Sequence, residues 1–268
     1  SKQLLPVYDK PMIYYPLSTL MLVGIKEILI ITQKRDLNTY QLLLGDGSHL
    51  GIQISYEVQN KPNGIAEAFI IGEKFLNNSK VALILGDNLF HGNDLINQLK
   101  IHTTQKKGAT LFAYPVTDPE RYGVIEFNKK GYALSIEEKP LFPKSNYAIT
   151  GLYFYDESVV EKVKQIKPSQ RGELEITDLN EIFLKEGNLK VEKFGRGIAW
   201  LDTGTFNSLQ EAGSYIRTLE NRQGLKVGCP EEVSWRNNWI NDDELQDLAE
   251  KFSNAYGDYL RQILKLGK

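Results

Sequence analysis

The sequence predicts an α/β fold: an open, mixed and mostly parallel sheet flanked by helices, followed by a small antiparallel part and a C-terminal helical extension. Three observations predict it. Short apolar runs rich in β-branched residues alternate with helix-length segments over the first 116 residues, which is the pattern of a parallel sheet. Two strand-like runs joined by a tight turn then introduce antiparallel pairing. The chain after residue 206 has helical character with one break.

The parallel part is predicted from apolar runs that end in turn residues. Residues 26–32 form a β-branched run typical of a buried strand, and residues 36–44, closed by Gly45, are typical of the helix that follows. The same alternation continues, with strands expected at 52–58, 81–85 and 109–116 and helices at 66–76 and 93–105. Crossovers of this kind make successive strands parallel.

The antiparallel part is predicted from residue 123 onward. The turn sequence Asn128-Lys-Lys-Gly131 joins two short runs, 123–127 and 133–138. Further strands are expected at 146–155, 189–194 and 198–201, and helices at 158–166 and 175–185. We divide the chain into an α/β domain, 1–222, and a C-terminal helical extension, 223–268, which contains a Gly- and Pro-containing break near 224–230.

Composition narrows the classes of partner. The 268 residues are 41% hydrophobic and 25% charged, which are ordinary globular proportions for one large domain or two small ones. The net charge of −2 argues against a general surface for nucleic-acid polymers or anionic membranes. The single cysteine, Cys229, excludes an intramolecular disulfide and fits a reducing compartment, the cytoplasm. No apolar run approaches the roughly 20 residues of a membrane-spanning helix.

Two carboxylates follow predicted strands directly. Asp87 comes after the apolar run 81–85, and Asp202 after 198–201. Ligands of open α/β sheets bind beyond the carboxyl ends of the strands, and Mg2+ takes one or two carboxylates together with phosphate oxygens. The alternative is that each aspartate caps the helix that follows it, a common role for this residue. The presence of both favours a magnesium site.

Two lysines and an amide have positions suited to a nucleotide. Lys139 stands at the end of a predicted strand and precedes a proline, and Lys2 precedes an apolar stretch, so either can offer a charge to a phosphate. A solvated surface position is the commoner role of any single lysine. Gln59 and Gly64 follow the strand 52–58 and can read a nucleobase, or can belong to a plain Asn-Gly turn. The motifs of zinc metalloproteases, serine hydrolases and Walker-type ATPases are absent.

Several longer motifs, in order along nearly the whole chain, identify a resemblance. They are Ser1-Lys-Gln-Leu-Leu-Pro6, Leu85-Gly-Asp-Asn88, Asp118-Pro-Glu-Arg-Tyr-Gly-Val124, Glu137-Glu-Lys-Pro140, Asn146-Tyr-Ala-Ile-Thr-Gly-Leu-Tyr-Phe-Tyr-Asp156, Arg171-Gly-Glu-Leu-Glu-Ile-Thr-Asp178 and Ala199-Trp-Leu-Asp-Thr-Gly-Thr205. The chain resembles the glucose-1-phosphate thymidylyltransferases of the sugar nucleotidyltransferase superfamily. The resemblance implies a Rossmann-like sheet, with the antiparallel part binding sugar, and a Mg2+-dependent reaction in which dTTP and glucose 1-phosphate give dTDP-glucose and pyrophosphate.

The resemblance also implies a role for each matching residue. It implies that Asp87 and Asp202 bind Mg2+ and that Lys139 binds the sugar phosphate. It implies that the nucleotide is bound by Lys2, Gln3, Gln59, Gly64 and Ile65. It implies that the glucose is bound by Asn88, Tyr122, Gly123, Glu138, Ile149 and Tyr153. Arg171 and Trp200 are expected to line that pocket, and Arg171 is also an expected catalytic residue. It further implies a cytoplasmic homotetramer without a membrane or nucleic-acid polymer as partner.

One motif of the family lies outside this sequence. The glycine-rich phosphate loop Gly-Gly-x-Gly-Thr-Arg, which follows the family's first strand, is expected before Ser1, so we expect roughly 20 further residues, a strand and a loop, in the native protein. Three alternatives stay open: the same fold with another nucleotide or sugar, such as UTP, a non-catalytic sugar-nucleotide-binding regulatory protein, and a glycosyltransferase. The two acids and two lysines argue against the second, and the lack of a short Asp-x-Asp at Asp87 argues against the third.

Overall fold

The computed structural model describes residues 1–268, and its elements alternate between strands and helices along most of the chain. The strands are β1 (Pro6–Val7), β2 (Lys10–Pro11), β3 (Glu27–Thr32), β4 (Gln53–Val58), β5 (Val81–Ile84), β6 (Asn88–Gly92), β7 (Ala109–Pro115), β8 (Gly123–Phe127), β9 (Ala133–Glu138), β10 (Tyr147–Tyr155), β11 (Leu189–Lys193) and β12 (Ile198–Asp202). The helices are α1 (Tyr14–Leu22), α2 (Leu37–Leu44), α3 (Glu67–Ile71), α4 (Glu73–Leu76), α5 (Leu95–Thr103), α6 (Val159–Val163), α7 (Ile176–Lys185), α8 (Phe206–Gln223), α9 (Pro230–Arg236), α10 (Asp242–Glu250) and α11 (Ala255–Leu266). Three 3-10 turns lie at Lys2–Leu4, Ser48–Leu50 and Pro119–Arg121.

Strand β10 organises the main sheet, which has six strands. It pairs antiparallel with β5, β7 and β8, while β7 pairs in parallel with β11 and β8 pairs antiparallel with β9. Strands β3 and β4 form a separate parallel pair, and β6 and β12 a separate antiparallel pair. The predicted mixed α/β sheet flanked by helices is confirmed, and so is the antiparallel hairpin of β8 and β9.

The facing edges of β3 and β5 have no strand between them. Strand β3 is hydrogen-bonded only to β4, and β5 only to β10. Two cavities of about 360 and 490 Å3 lie between these edges, and residues of both strands line each cavity. The larger is mostly apolar, and the smaller opens toward the turn that carries Lys2.

Local chemistry explains two differences from the predicted elements. The helix expected at 66–76 is two short helices, α3 and α4, because Gly72 interrupts it. Strand β6 was not predicted, because the four residues that follow Asn88 carry no clear period-two pattern, and its partner β12 lies more than 100 residues later.

The helices predicted after residue 206 are present as α8 to α11. No helix combines the length and apolar character needed to cross a membrane.

The C-terminal helices share a core with the start of the chain. One cluster of 20 buried residues includes Leu17 and Met21 of α1, Ile54 of β4, Trp235 of α9 and Leu260 of α11. These side chains are almost fully removed from water, and apolar burial at roughly 25 cal/mol per Å2 makes such a cluster the main stabilising contact of the helices. The elements that carry Lys2 and Gln3 are thus backed by α9 to α11.

A cluster of four charges, two of which are buried, fixes the β1–β2 hairpin to α8. Lys10 is only 2% exposed, and its Nζ donates to Glu220 Oε1 at 2.7 Å and to Asp9 Oδ1 at 2.5 Å. Lys226 also donates to Glu220 and to Asp9, and Tyr15 lies 3.3 Å from Lys10 Nζ. Every charge in the cluster has a partner of opposite sign, as buried charges require.

We expect Lys10→Met to lower the free energy of unfolding by about 3 kcal/mol, because Glu220 would keep only one of its two cationic partners in a buried place. Urea unfolding, followed by circular dichroism, measures the change. The double variant Lys10→Met/Glu220→Leu should recover part of the loss, since it leaves Asp9 paired with Lys226. A double variant as unstable as the single one would contradict this account of the cluster.

Candidate active site

The β6–β12 ladder brings the two predicted acidic residues together. Asp202, the last residue of β12, is in register with Asn88, the first residue of β6 and the neighbour of Asp87. Thr203 reinforces the contact, because its backbone N–H and its hydroxyl both donate to the carbonyl oxygen of Asp87, at 3.1 and 2.8 Å. Neither aspartate caps a helix: the caps of α5 and α8 are Asp94 and Thr205. The capping alternative is therefore wrong for both.

Asp87 and Asp202 influence each other electrostatically. Burial, and then the negative charge of Asp87, raise the pKa of Asp202, while the positive charges of Lys2 and Arg121 oppose the rise. Lys2 Nζ forms an ion pair with Asp87 Oδ2, and Arg121 Nη2 lies 3.5 Å from Asp202 Oδ2. Tyr122 donates a hydrogen bond to the same Oδ2 at 3.4 Å, and its own burial next to that charge raises the pKa of Tyr122 to about 12.

The donor set of this pair fits a hard divalent cation. Burial, and then the charge of Asp87, raise the pKa of Asp202, and both effects would be offset by a cation placed between the two carboxylates. Their donor atoms are all oxygens, the ligands that Mg2+ prefers, and two protein carboxylates leave coordination positions for phosphate or water. Asp87 and Asp202 are thus the residues that would hold Mg2+.

Asn88 orients Asp87. Its side chain is only 2% exposed, and its Oδ1 accepts hydrogen bonds from the indole N–H of Trp200 at 2.6 Å and from the backbone N–H of Gly151 at 3.0 Å. Two donors on the oxygen leave the amide nitrogen to point at Asp87, and Nδ2 donates to Asp87 Oδ1 at 2.9 Å. The amide is fixed from three directions, and it holds the carboxylate.

Most of the predicted site residues line one cavity of about 230 Å3. It contains the two aspartates at one end and, at the other, polar and aromatic groups from the antiparallel part. The predicted residues on its wall are Ile65, Asp87, Asn88, Tyr122, Gly123, Glu138, Lys139, Ile149, Tyr153, Trp200 and Asp202. The wall also includes Arg121, Gly151 and Thr177, which were not predicted. The cavity is partly apolar with a few convergent polar groups, as small-molecule sites usually are.

Glu138 and Lys139 have fixed positions in this cavity. The hydroxyl of Thr177 donates to Glu138 Oε2 at 2.5 Å, and Gly123 of β8 is in register with Glu138 of β9. Lys139 follows β9, as predicted, and has a φ of +42°, a left-handed conformation that is uncommon for a residue other than glycine. Its backbone N–H donates to the carbonyl of Tyr122. Such conformations occur where surrounding structure holds them, often at functional sites.

Lys2, Gln3 and Gln59 line the cavity of about 360 Å3 on the other side of Asp87. The Lys2–Asp87 ion pair links the walls of the two cavities, because Lys2 lines this one and Asp87 lines the other. The amide nitrogen of Gln59 donates to Glu67 Oε2 at 2.7 Å and to the carbonyl of Gly64 at 3.1 Å. Both partners only accept, so they fix the side-chain amide and leave Gln59 Oε1 as a free acceptor.

Two predicted residues have other contacts. Gly64 is a glycine because of a close approach of backbones: a Cβ there would lie 2.3 Å from the carbonyl oxygen of Leu174, at a φ of +105°. Arg171 makes a two-pronged ion pair with Glu175, with both N···O distances at 3.1 Å, and a further one with Glu173. Neither Gly64 nor Arg171 is on the wall of the two cavities.

Sequence reasoning missed five residues that support the site: Glu67, Arg121, Gly151, Thr177 and Thr203. All except Glu67 lie inside motifs that carried the resemblance, 118–124, 146–156, 171–178 and 199–205, so the motifs contained the signal although spacing alone did not. Glu67 and Thr203 act on a neighbour's side chain or backbone. Contacts of that kind depend on the fold rather than on local pattern.

Comparisons with known proteins agree on one family. Residues 1–218 match the family model of the nucleotidyl transferases. The chain is 58% identical over 266 residues to the glucose-1-phosphate thymidylyltransferase of Neisseria meningitidis, a match that covers 99% of this chain and 92% of that protein. It is 54% identical over 266 residues to the enzyme of the same name from Mycobacterium tuberculosis, again covering 99% and 92%.

Solved structures agree in fold. A crystal structure of a glucose-1-phosphate thymidylyltransferase from Bacillus anthracis, in complex with sucrose, superimposes with a TM-score of 0.75 at 42% identity and covers 81% of this chain and 86% of that one. A UDP-glucose pyrophosphorylase in complex with UDP-glucose superimposes with a TM-score of 0.69 at 24% identity, over 81% and 90%, a likeness of fold.

We expect Gly151→Ala to displace Asn88, because a Cβ at residue 151 would lie 2.6 Å from the Asn88 side-chain amide. The free energy of unfolding should fall by about 1–3 kcal/mol, as for other overpacked buried sites. Affinity for a divalent cation should fall as well, since Asp87 loses the amide that orients it. Urea unfolding and calorimetric titration with Mg2+ measure the two effects. Gly213→Ala, where a Cβ meets nothing closer than 3.6 Å, is the matched control.

Proposed function

The chain belongs to the nucleotidyl transferase family and, within it, to the glucose-1-phosphate thymidylyltransferases, and from this premise we propose that it transfers a thymidylyl group from dTTP to α-D-glucose 1-phosphate. The products are dTDP-glucose and pyrophosphate. The observation that carries the proposal is a junction of four charges, Asp87 and Asp202 with Lys2 and Arg121 beside them. Lys2 lines the cavity of about 360 Å3, and the other three line the cavity of about 230 Å3. A site that joins two phosphates needs both kinds of charge in one place.

The reaction is an in-line displacement. A phosphate oxygen of glucose 1-phosphate attacks the α-phosphorus of dTTP, the bond from that phosphorus to the bridging oxygen breaks, and pyrophosphate leaves with the bonding electrons. No covalent intermediate with the protein is needed. The work of the chain is to position two anions and to stabilise charge that builds on the phosphoryl oxygens.

The carboxylates, lysines and tyrosine divide this work. Asp87 and Asp202 would hold Mg2+, which supplies positive charge beside the phosphate oxygens. Lys139, on the wall of the 230 Å3 cavity, neutralises the sugar phosphate, and Lys2, at the junction, neutralises the nucleotide phosphates. Tyr122 keeps the carboxylate of Asp202 in place through its hydrogen bond.

Glucose binds in the cavity of about 230 Å3. Glu138, whose Oε2 is bonded by Thr177, presents its other oxygen to a sugar hydroxyl, and Tyr153 and Trp200 provide the aromatic wall. Gly123 leaves room beside Glu138, since a Cβ there would meet the Glu138 carboxylate at 3.4 Å. This combination of a fixed carboxylate and apolar rings suits a ring that is polar at its edge and apolar on its faces.

Gln59 selects the base by its free acceptor. With its amide nitrogen held by Glu67 and Gly64, Gln59 Oε1 can accept from the N3–H of thymine or uracil. Cytosine has a bare nitrogen at that position, and two acceptors facing each other without a hydrogen lose the bond and leave a desolvated polar atom. Ile65, which the resemblance places at the nucleotide, is 38% exposed and lines the cavity of about 230 Å3 rather than the cavity of Gln59.

We extend the proposal to assembly and location. A homotetramer in the cytoplasm is the state that family membership favours. The buried free thiol of Cys229 is compatible with a reducing compartment. We propose a division into an α/β domain, 1–222, and a C-terminal helical extension, 223–268, with the boundary at the end of α8. Helices α9 to α11 of the extension pack on α1, and they thereby support the part of the site that is proposed to bind the nucleotide.

The function is tested by pyrophosphate release with glucose 1-phosphate and each nucleoside triphosphate in turn. We expect release with dTTP, weaker release with UTP and release at least tenfold weaker again with dCTP, because only the first two bases present N3–H to Gln59. Equal release with UTP and dTTP would assign the chain to the same fold with relaxed nucleotide specificity. No release with any of the triphosphates, from protein that is folded by circular dichroism, would refute the enzyme proposal in favour of a binding protein.

We expect Asp202→Ala to reduce turnover by at least about 100-fold while the protein stays folded, because one of the two proposed metal ligands is lost. Steady-state assays at saturating dTTP and glucose 1-phosphate, together with urea unfolding, separate the two effects. Asp258→Ala, an exposed acid that is paired with Arg261 on α11, is the matched control and should keep full turnover. Unchanged turnover in Asp202→Ala would remove this residue from the metal site.

A further inference from the structure

Arg121 bridges the metal-site acids and an outer carboxylate. Its Nη1 donates to Asp118 Oδ2 at 2.6 Å, and its Nη2 lies 3.5 Å from Asp202 Oδ2. The guanidinium covers the ring of Tyr122 at 5.2 Å and is about two-fifths exposed at the rim of the 230 Å3 cavity. The contact with Asp118, outside the metal site, is therefore shorter than the contact with Asp202, inside it.

The charges at the junction balance in pairs. Asp87 has Lys2 as its cationic partner, and Asp202 has Arg121. A divalent cation held by the two carboxylates would compete with Arg121 for the negative charge of Asp202 and would repel the nearby guanidinium. Arg121 must then lose the contact of its Nη2 with Asp202 when a metal binds, while its Nη1 stays bonded to Asp118.

Arg121 lies on the same cavity wall as Lys139, the residue proposed to bind the sugar phosphate. The backbone N–H of Lys139 donates to the carbonyl of Tyr122, the residue after Arg121. A guanidinium is planar, so when one of its nitrogens is anchored, its other N–H groups can bind a phosphate from a fixed plane. The ammonium of a lysine has no such fixed plane of donors. Two cations on one phosphate also suit the charge that develops during transfer.

We propose that Arg121 is an exchange residue: it neutralises Asp202 until a divalent cation binds there, and then passes its inner N–H groups to the phosphate of glucose 1-phosphate. This inference rests on the proposed function, since it names a further contact of the same site. It makes two predictions of opposite sign for one substitution, tighter binding of the metal alone and weaker use of the sugar phosphate.

The test uses Arg121→Gln in the full chain. Titration with Mn2+ alone, followed by its electron paramagnetic resonance signal, should show binding about two- to fivefold tighter than in the wild type, the range of a single partly exposed ion pair. At saturating dTTP and Mg2+, the KM for glucose 1-phosphate should rise about tenfold or more, as for the loss of a charge-assisted hydrogen bond, with the KM for dTTP unchanged. Arg121→Lys keeps the charge and should restore the Mn2+ affinity of the wild type but not the KM.

Arg236→Gln is the matched control, because Arg236 is a similarly exposed arginine in an ion pair, with Glu232 on α9. It should leave both quantities unchanged. Mn2+ affinity that is unchanged or weaker in Arg121→Gln would overturn the exchange, and so would an unchanged KM for glucose 1-phosphate. Either result with a wild-type protein that still makes dTDP-glucose refutes the inference alone, whereas a wild-type protein that makes none refutes the proposed function.

Discussion

The pairing of β6 with β12 is the constraint on which the site depends, because it places two like charges side by side and keeps them there. Five residue pairs from Ile198 and Gly92 to Asp202 and Asn88 set the register, and the hydrogen bonds of Thr203 to the Asp87 carbonyl close the end. A shift of one residue would turn Asp202 to the opposite face. Backbone hydrogen bonds therefore hold two like charges together, in a place where burial first, and then the charge of Asp87, raise the pKa of Asp202.

The two cations that balance these acids come from separate short turns, one at each side of the ladder. Lys2 lies in the 3-10 turn Lys2–Leu4, which α1 and the C-terminal helices support, and Arg121 ends the turn Pro119–Arg121 before β8. The junction is thus assembled from four distant segments with no net excess of charge among the four side chains. Each carboxylate of this half-buried site therefore has a cationic partner, as buried charges require.

Sequence patterns located the parts of the site that obey a local rule. Asp87, Asp202 and Lys139 were predicted from their positions at strand ends, and the structure places all three on one cavity wall. Local patterns could not show β6, whose strand character comes from its pairing with β12, or the role of Thr177, which lies 39 residues from its partner Glu138. The resemblance of whole motifs predicted more of the site residues than local patterns did, because a motif includes residues whose contacts are not visible from their spacing.

The proposed recognition groups at the two ends of the site are fixed, whereas those at its centre can exchange partners. Gln59 is held by Glu67 and Glu138 by Thr177, and each residue lines a cavity with one side-chain oxygen left to accept a hydrogen bond. Little conformational entropy is then lost on binding, and a wrong hydrogen-bond pattern cannot be accommodated by rotation. Lys2, at the centre, instead has Asp87 as a partner that a phosphate can replace. Selectivity therefore belongs to the fixed ends, and the electrostatic part of the chemistry to the exchangeable centre.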